Sequence, residues 1–196
     1  HDFVVFSPTR HLWKTNAEPL ADFHRFGGAK RNDKIVEAFA RVVKEKLFSN
    51  PLLVLCEYGP DAEHTKNLVS ELGLERFVHW FPIMSRRELV AGISMATFVA
   101  DQFREGMSAT SAGTTNEALA YGTPVITNPD GAIDSEDDPY FGCPILEALK
   151  TEEIYEYFKD YAKKPSKYLE IGRLSEKWFD ENLGEGLAQK YLGLLG

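Results

Sequence analysis

Short apolar runs alternate along most of this chain with longer amphipathic stretches. Residues 2–7, 52–57, 77–81, 96–100 and 124–127 are rich in Val, Ile, Leu, Phe and Trp, and their brevity and continuous hydrophobicity predict buried parallel strands. A helix is predicted from about 33 to 46, because Ile35, Phe39, Val42 and Val43 recur at i, i+4, i+7 and i+8 on one face. A second is predicted over 61–72, closed by Gly73 in a left-handed cap. Ser85-Arg-Arg-Glu88 is a capping box that opens a third. After Gly142 the pattern becomes helical, with segments at 151–163, 166–181 and 186–195. Strands and helices in this alternation predict an α/β fold: a Rossmann-like, doubly wound parallel sheet in three α/β/α layers, followed by C-terminal helices.

The most informative segment joins a polar run, Ser108 to Asn116, to Glu117-Ala-Leu-Ala-Tyr-Gly-Thr-Pro-Val-Ile126. It reads as a loop of small residues, a short helix stopped at Gly122 and a buried strand. The first N–H groups of a helix have no partner within it and carry partial positive charge, so such a loop can seat a phosphate. Ligands of open parallel sheets bind beyond the carboxyl ends of the strands. Those ends present Thr9-Arg10-His11, Tyr58-Gly59, Pro82-Ile83, the 101–116 loop and Asn128-Pro129-Asp130.

Composition narrows the possibilities. At 196 residues the chain suits one domain with a sizeable core, and no apolar run approaches the ~18 residues that span a bilayer. A net charge of −8 argues against nucleic acid or an anionic membrane surface as a general partner. Residues 1–46 nevertheless carry nine Lys/Arg against six Asp/Glu, a local excess that favours a phosphate ligand or arises by chance. Cys56 and Cys143 lack metal-type spacing and read as reduced thiols of a cytoplasmic protein. The abrupt entry into a strand at residue 3 reads as an excised domain.

The line Glu117 to Ile126 resembles the E-A-x-A-x-G-x-P-V-I segment of the glycosyltransferase group 1 family. Further matches follow in order along the chain. Phe6-Ser-Pro-Thr-Arg10 is similar to the family's first strand, and Lys30-Arg-Asn-Asp33 with Ala38-Phe39 to its K-G-x-D-x-x-x-x-A-F helix. Leu52 to Pro60 is similar to its second strand with a G-x-G-P-type turn, and Leu72 to Pro82 to its L-G-L-x-x-x-V-x-F-x-G strand. The resemblance implies the C-terminal, nucleotide-sugar-binding half of a two-domain GT-B enzyme. Residues 1–196 then form a single donor-binding domain with a helical tail over 165–196, and the acceptor domain lies outside this chain. The implied partners are a UDP- or GDP-sugar donor and the N-terminal acceptor domain of the same protein, with peripheral membrane association through that domain and no nucleic acid. No cofactor or metal is expected.

The resemblance also implies roles. Arg10 and Lys30 match the basic pair that neutralises the donor diphosphate; as isolated residues they would equally suit a solvated loop. Gly113, Thr114 and Thr115 are the expected phosphate-cradling backbone positions, and Ile83 joins the nucleotide-contacting set. Glu117 matches the second glutamate of the E-x7-E motif, which bonds the donor ribose; alternatively Thr114-Thr-Asn-Glu117 is a capping box whose carboxylate bonds the Thr114 N–H. The family's first glutamate falls on Ala109, so Glu105, the residue before Gly106, is the catalytic-carboxylate candidate. His11 is a lesser ligand candidate, and His79 reads as half-buried on its strand. Asp134 to Asp138 read as a solvated acidic loop, and Tyr155, Phe158 and Tyr161 as a packing face. The apolar tail 191–195 suits either the core or a contact with the acceptor domain. The expected activity is transfer of a hexose-type sugar, metal-independent and with retention. The alternatives are a nucleotide-sugar epimerase of the same fold and a noncatalytic nucleotide-sugar-binding module.

Overall fold

A computed structural model describes residues 1–14, 30–104 and 113–195. Its six strands are β1 (Phe3–Ser7), β2 (Pro51–Cys56), β3 (Val78–Phe81), β4 (Phe98–Ala100), β5 (Val125–Thr127) and β6 (Leu146–Glu147). They form one sheet in the order β3-β2-β1-β4-β5-β6, and every pairing is parallel. The helices are α1 (Asn32–Lys44), α2 (Ala62–Glu71), α3 (Arg86–Met95), α4 (Gly113–Ala120), α5 (Thr151–Lys163), α6 (Pro165–Asn182) and α7 (Glu185–Leu195). A single 3-10 turn spans Ala132–Asp134.

The local signals act as the sequence predicts. Ile35, Phe39 and Val42 of α1 are fully buried. Gly73 and Gly122 take the left-handed conformation that ends α2 and α4. Ser85 and Glu88 complete their reciprocal cap on α3. Two expectations fail for reasons of sheet context. The segment after Gly142 is not helical throughout, because Leu146 and Glu147 pair with Ile126 and Thr127 as β6; a strand of two residues carries no readable periodicity. His79 is exposed rather than half-buried, because β3 is the edge of the sheet, and its ring rests on Phe81 at 4.6 Å.

Alternation along the strands sends side chains to two layers. Phe3, Val5, Leu53 and Leu55 face α1, α5 and the start of α6, in a core that includes Phe39, Phe98, Phe158 and Tyr168. Tyr155 and Phe158 are fully buried in that layer, so the aromatic spacing of α5 is a packing face. Phe6, Val54, Val99 and Val125 face α3, α4 and the end of α6, with Ile93, Leu119 and Trp178. The tail is not core: Tyr191 and Leu192 on α7 are 62% and 68% exposed.

One contact sets the position of α6. A Cβ on Gly172 would stand 2.1 Å from the carbonyl oxygen of Gly122, the left-handed residue that closes α4. The two backbones meet there, so α4 and α6 pack as closely as glycine allows. The C-terminal edge of β1 and β2 is closed by His11. Its Nε2 lies 2.8 Å from the Cys56 carbonyl, which can only accept, so the hydrogen is on Nε2. The bare Nδ1 has no partner, and the ring is fully buried beside Trp80. His11 therefore braces the fold and is not exposed to a ligand. Gly59, at φ 112, lets this happen, since a Cβ there would meet the His11 backbone nitrogen at 2.4 Å.

Burial drops the His11 pKa from 6.5 to about 4. Its neutral form supports folding fully above pH 6.5, and that support is lost as pH falls toward 4. The linked destabilisation is about 3 kcal/mol, and urea titrations at pH 7 and pH 4.5 should show a much smaller pH dependence in His11→Gln. Gly172→Ala should destabilise by about 1–3 kcal/mol despite the better helix propensity of alanine. A rise in the urea midpoint of that variant would show that the Gly122 contact is not limiting.

Candidate functional site

The strand order reverses between β1 and β4, and the site is built at the carboxyl ends of these two strands. Lys30 bridges them through its backbone: its N–H donates to the Leu12 carbonyl at 2.6 Å, and its carbonyl accepts from Phe103 N–H at 3.1 Å. The residues between, 15–29, lie outside the described structure, yet the bond to Leu12 places Lys30 at the end of β1. Arg31 precedes α1 in the left-handed conformation, at φ 56. That is the place of the glycine in the K-G-x-D pattern, and here a guanidinium–carboxylate bond to Asp33, 2.7 Å from Nη2 to Oδ2, accompanies the strained backbone. Asn32 ties the start of α1 to β1 by accepting from Leu12 N–H and donating to Thr9 Oγ1, both at 3.0 Å.

The side chains gather around a buried carboxylate. Asp101, 2% exposed, receives a hydrogen bond from Thr115 Oγ1 at 2.7 Å on Oδ2, while Oδ1 has no partner. Burial raises its pKa, and Lys30 opposes that shift. Lys30 Nζ donates to Gln102 Oε1 at 2.6 Å. Its ammonium is held below the ordinary lysine value, first by burial and further by repulsion from Arg10 and Arg104, while Asp101 opposes the shift. Arg104 is 6% exposed, and neither its Nε nor its Nη1 has a partner. Lys30 thus stands between the Asp101 carboxylate and two further cations, Arg10 and Arg104, with Asp130 beside Arg104. Buried charge of this kind is costly unless an anion compensates it.

Of the residues singled out from the sequence, Arg10, Lys30 and the first turn of α4 come together here. Gly113 is exposed and Thr114 half-buried, so the first amides of α4 are accessible. Thr115 is fully buried, with its hydroxyl and its backbone N–H both turned to Asp101. Glu117 does not form the capping box. The helix already begins at Gly113, so Thr114 lies inside it, and the Glu117 carboxylate pairs instead with Arg86 Nη1 at 2.6 Å. Ile83 stands apart in the turn between β3 and α3, 76% exposed. Asp130 takes the left-handed conformation and donates its N–H to Asn128 Oδ1. Glu105 and Ala109 lie outside the described residues. Asp134 to Asp137 are exposed, as a solvated loop requires, while Asp138 is half-buried and accepts from Tyr140 N–H at 2.8 Å. Among the described residues no group of three or more His, Cys, Asp or Glu side chains is placed to hold a metal ion.

Sequence reasoning missed Asp101, Gln102, Arg104 and Arg86 as members of the site. The available signal was the pair of polar residues directly after an apolar strand, in the position that faces ligand in a parallel sheet.

A sequence model of the glycosyl transferases group 1 family matches residues 10–136. No curated protein matches the chain significantly. Among solved structures, the catalytic domain of cholesterol-alpha-glucosyltransferase from Helicobacter pylori aligns with a TM-score of 0.63 and 14% identity, over 91% of this chain and 98% of that one. Anabaena HepE in complex with UDP-glucose aligns at 0.67 and 14%, over 98% of this chain and 49% of that one. A glycosyltransferase from Rickettsia africae aligns at 0.65 and 14%, over 98% and 47%. This chain therefore spans about half the length of the last two, and at such identities the likeness is one of fold. The sequence match is the more telling finding, because it begins at Arg10, passes through Lys30 and Glu117, and takes in the whole cationic cluster: the chain belongs to the glycosyl transferases group 1 family.

Proposed function

We propose that this chain is the donor-binding domain of a glycosyltransferase that moves a hexose-type sugar from a UDP- or GDP-sugar to an acceptor, with retention and without a metal ion. The observation that carries the reading is the convergence of Arg10, Lys30 and the first turn of α4 where β1 and β4 part. In such a transfer the bond from the anomeric carbon to the diphosphate oxygen breaks, and a bond from that carbon to an acceptor oxygen forms. Negative charge grows on the departing diphosphate. Fixed cations and backbone N–H groups stabilise that charge as it develops, which is the work a metal would otherwise do. Arg10 offers a planar fork and Lys30 a compact charge. The UDP-glucose held by Anabaena HepE supports the donor class.

Glu117 is assigned to the ribose hydroxyls. A carboxylate has about four acceptor sites, so the bond to Arg86 leaves room for them. Arg86 follows closely on Ile83, whose exposed side chain offers an apolar surface to the base. The acceptor is brought by an N-terminal domain of the same protein, for which the exposed Tyr191 and Leu192 of α7 provide a contact. We place the protein in the cytoplasm, associated with a membrane through that domain; no helix among the described residues is long and apolar enough to cross one. A noncatalytic nucleotide-sugar-binding module is the second reading, favoured by Ala109 in the position of the first motif glutamate.

Calorimetry should detect UDP or GDP binding to this chain, with Lys30→Ala weaker by roughly tenfold or more, since a hydrogen bond to a charged group is worth about 1.5–3 kcal/mol. Manganese and chelator should leave the affinity unchanged. Absence of any nucleotide binding would remove the whole reading, and equal affinity in the variant would remove Lys30 from the site. In the full-length protein, Glu105→Ala should depress transfer while sparing diphosphate binding, and Glu117→Ala should weaken both. If Glu105→Ala transfers normally, Ala109 marks a true loss and the displaced carboxylate has no role.

A further inference from the structure

Arg104 is outside the motif residues picked out from the sequence, and its surroundings are unusual. It follows β4 on a backbone held firmly to the end of β5. Asn128 N–H and Thr127 Oγ1 both donate to the Gln102 carbonyl, at 3.0 and 3.2 Å, and Asn128 Nδ2 donates to the carbonyl of Arg104 itself. The side chain is nine-tenths buried, yet among the described residues Nε and Nη1 find no hydrogen-bond partner. Its charged neighbours are Lys30, which repels it, and Asp130, which attracts it. An arginine cannot shed its proton to escape this cost. Arg10, Lys30 and Arg104 stand against Asp101 and Asp130, which leaves an excess of positive charge that an anion would offset.

We infer that Arg104 is a specificity-determining residue of the donor site, its guanidinium gripping a pair of anionic oxygens on the donor. A planar fork suits two oxygens on one centre, and both a diphosphate and a carboxylate on the transferred sugar present them. The inference rests on the donor-binding reading of the same cleft. It also predicts opposite effects on folding and binding. A buried guanidinium with two unbonded N–H groups burdens the ligand-free fold, so an apolar substitute relieves the fold while it weakens the ligand.

Thermal melts and calorimetry with inorganic pyrophosphate, UDP, UDP-glucose and UDP-glucuronate test this on wild type, Arg104→Met and Arg104→Lys. Arg104→Met should keep or raise the ligand-free melting temperature. It should also lose roughly tenfold in affinity for an anionic ligand, with Arg104→Lys recovering part of the loss by charge alone. A loss seen already with pyrophosphate and UDP assigns Arg104 to the diphosphate. A loss confined to UDP-glucuronate, with UDP-glucose unaffected, assigns it to a sugar carboxylate. Unchanged affinity for all four ligands in both variants would overturn the inference, as would a lowered ligand-free melting temperature with ligand shifts intact. Should Arg104→Met fail to fold, Arg104→Lys decides alone, because loss of the fork must still weaken a two-oxygen contact. Wild-type binding of pyrophosphate without any nucleotide would sink the donor-domain reading and the donor assignment of Arg104 with it, whereas nucleotide binding that is equal in wild type and both variants would sink only the role of Arg104.

Discussion

The bond from Thr115 to Asp101, 2.7 Å long and closed to solvent, is the fastening on which the site depends. It joins the first turn of α4 to the end of β4 and so aims the helix N-terminus at the gap between β1 and β4. The same carboxylate attracts the Lys30 ammonium and opposes the lowering of its pKa by burial. Without Asp101, Lys30 would keep its bond to Gln102 but lose the one carboxylate that offsets the repulsion from Arg10 and Arg104. With it, positive charge still exceeds negative where Arg10, Lys30 and Arg104 face Asp101 and Asp130, which favours the binding of an anion.

Such a site stores free energy in the ligand-free protein. Buried charges that lack partners disfavour the fold, and only a ligand returns that cost. The contrast with His11 is instructive. It too is buried at the carboxyl edge of the sheet, but it gives up its charge, donates one hydrogen bond to Cys56 and braces β1 against β2. Two titratable groups on one edge therefore serve different ends. The arginines cannot neutralise and so demand an anion; the histidine can, and becomes structure.

The remainder of the fold makes the edge rigid. Alternating side chains along each strand fill two cores, and the strand order lets α1 and α5 cover one face while α3 and α4 cover the other. α6 then docks on α4 through the Gly172–Gly122 approach. The helix whose N-terminus forms the anion seat is thus held at its other end by backbone contact, so the seat does not depend on side-chain flexibility.

Periodicity and turn chemistry were enough to read five of the six strands, the caps at Ser85, Gly73 and Gly122, and the burial of the Tyr155 and Phe158 face, because each is a local consequence of neighbouring residues. Motif resemblance was enough to pick out Arg10, Lys30 and the start of α4. Tertiary structure alone decided the rest. β6 exists because β5 offers an edge to two residues that show no pattern. Glu117 bonds Arg86 rather than its own helix because α3 lies beside α4. Asp101, Gln102 and Arg104 look like the beginning of a loop until the sheet brings Lys30 and Thr115 against them. What a residue does within a few neighbours is written in the chain; which charges share a buried volume depends on strand order, and that is settled only when the sheet closes.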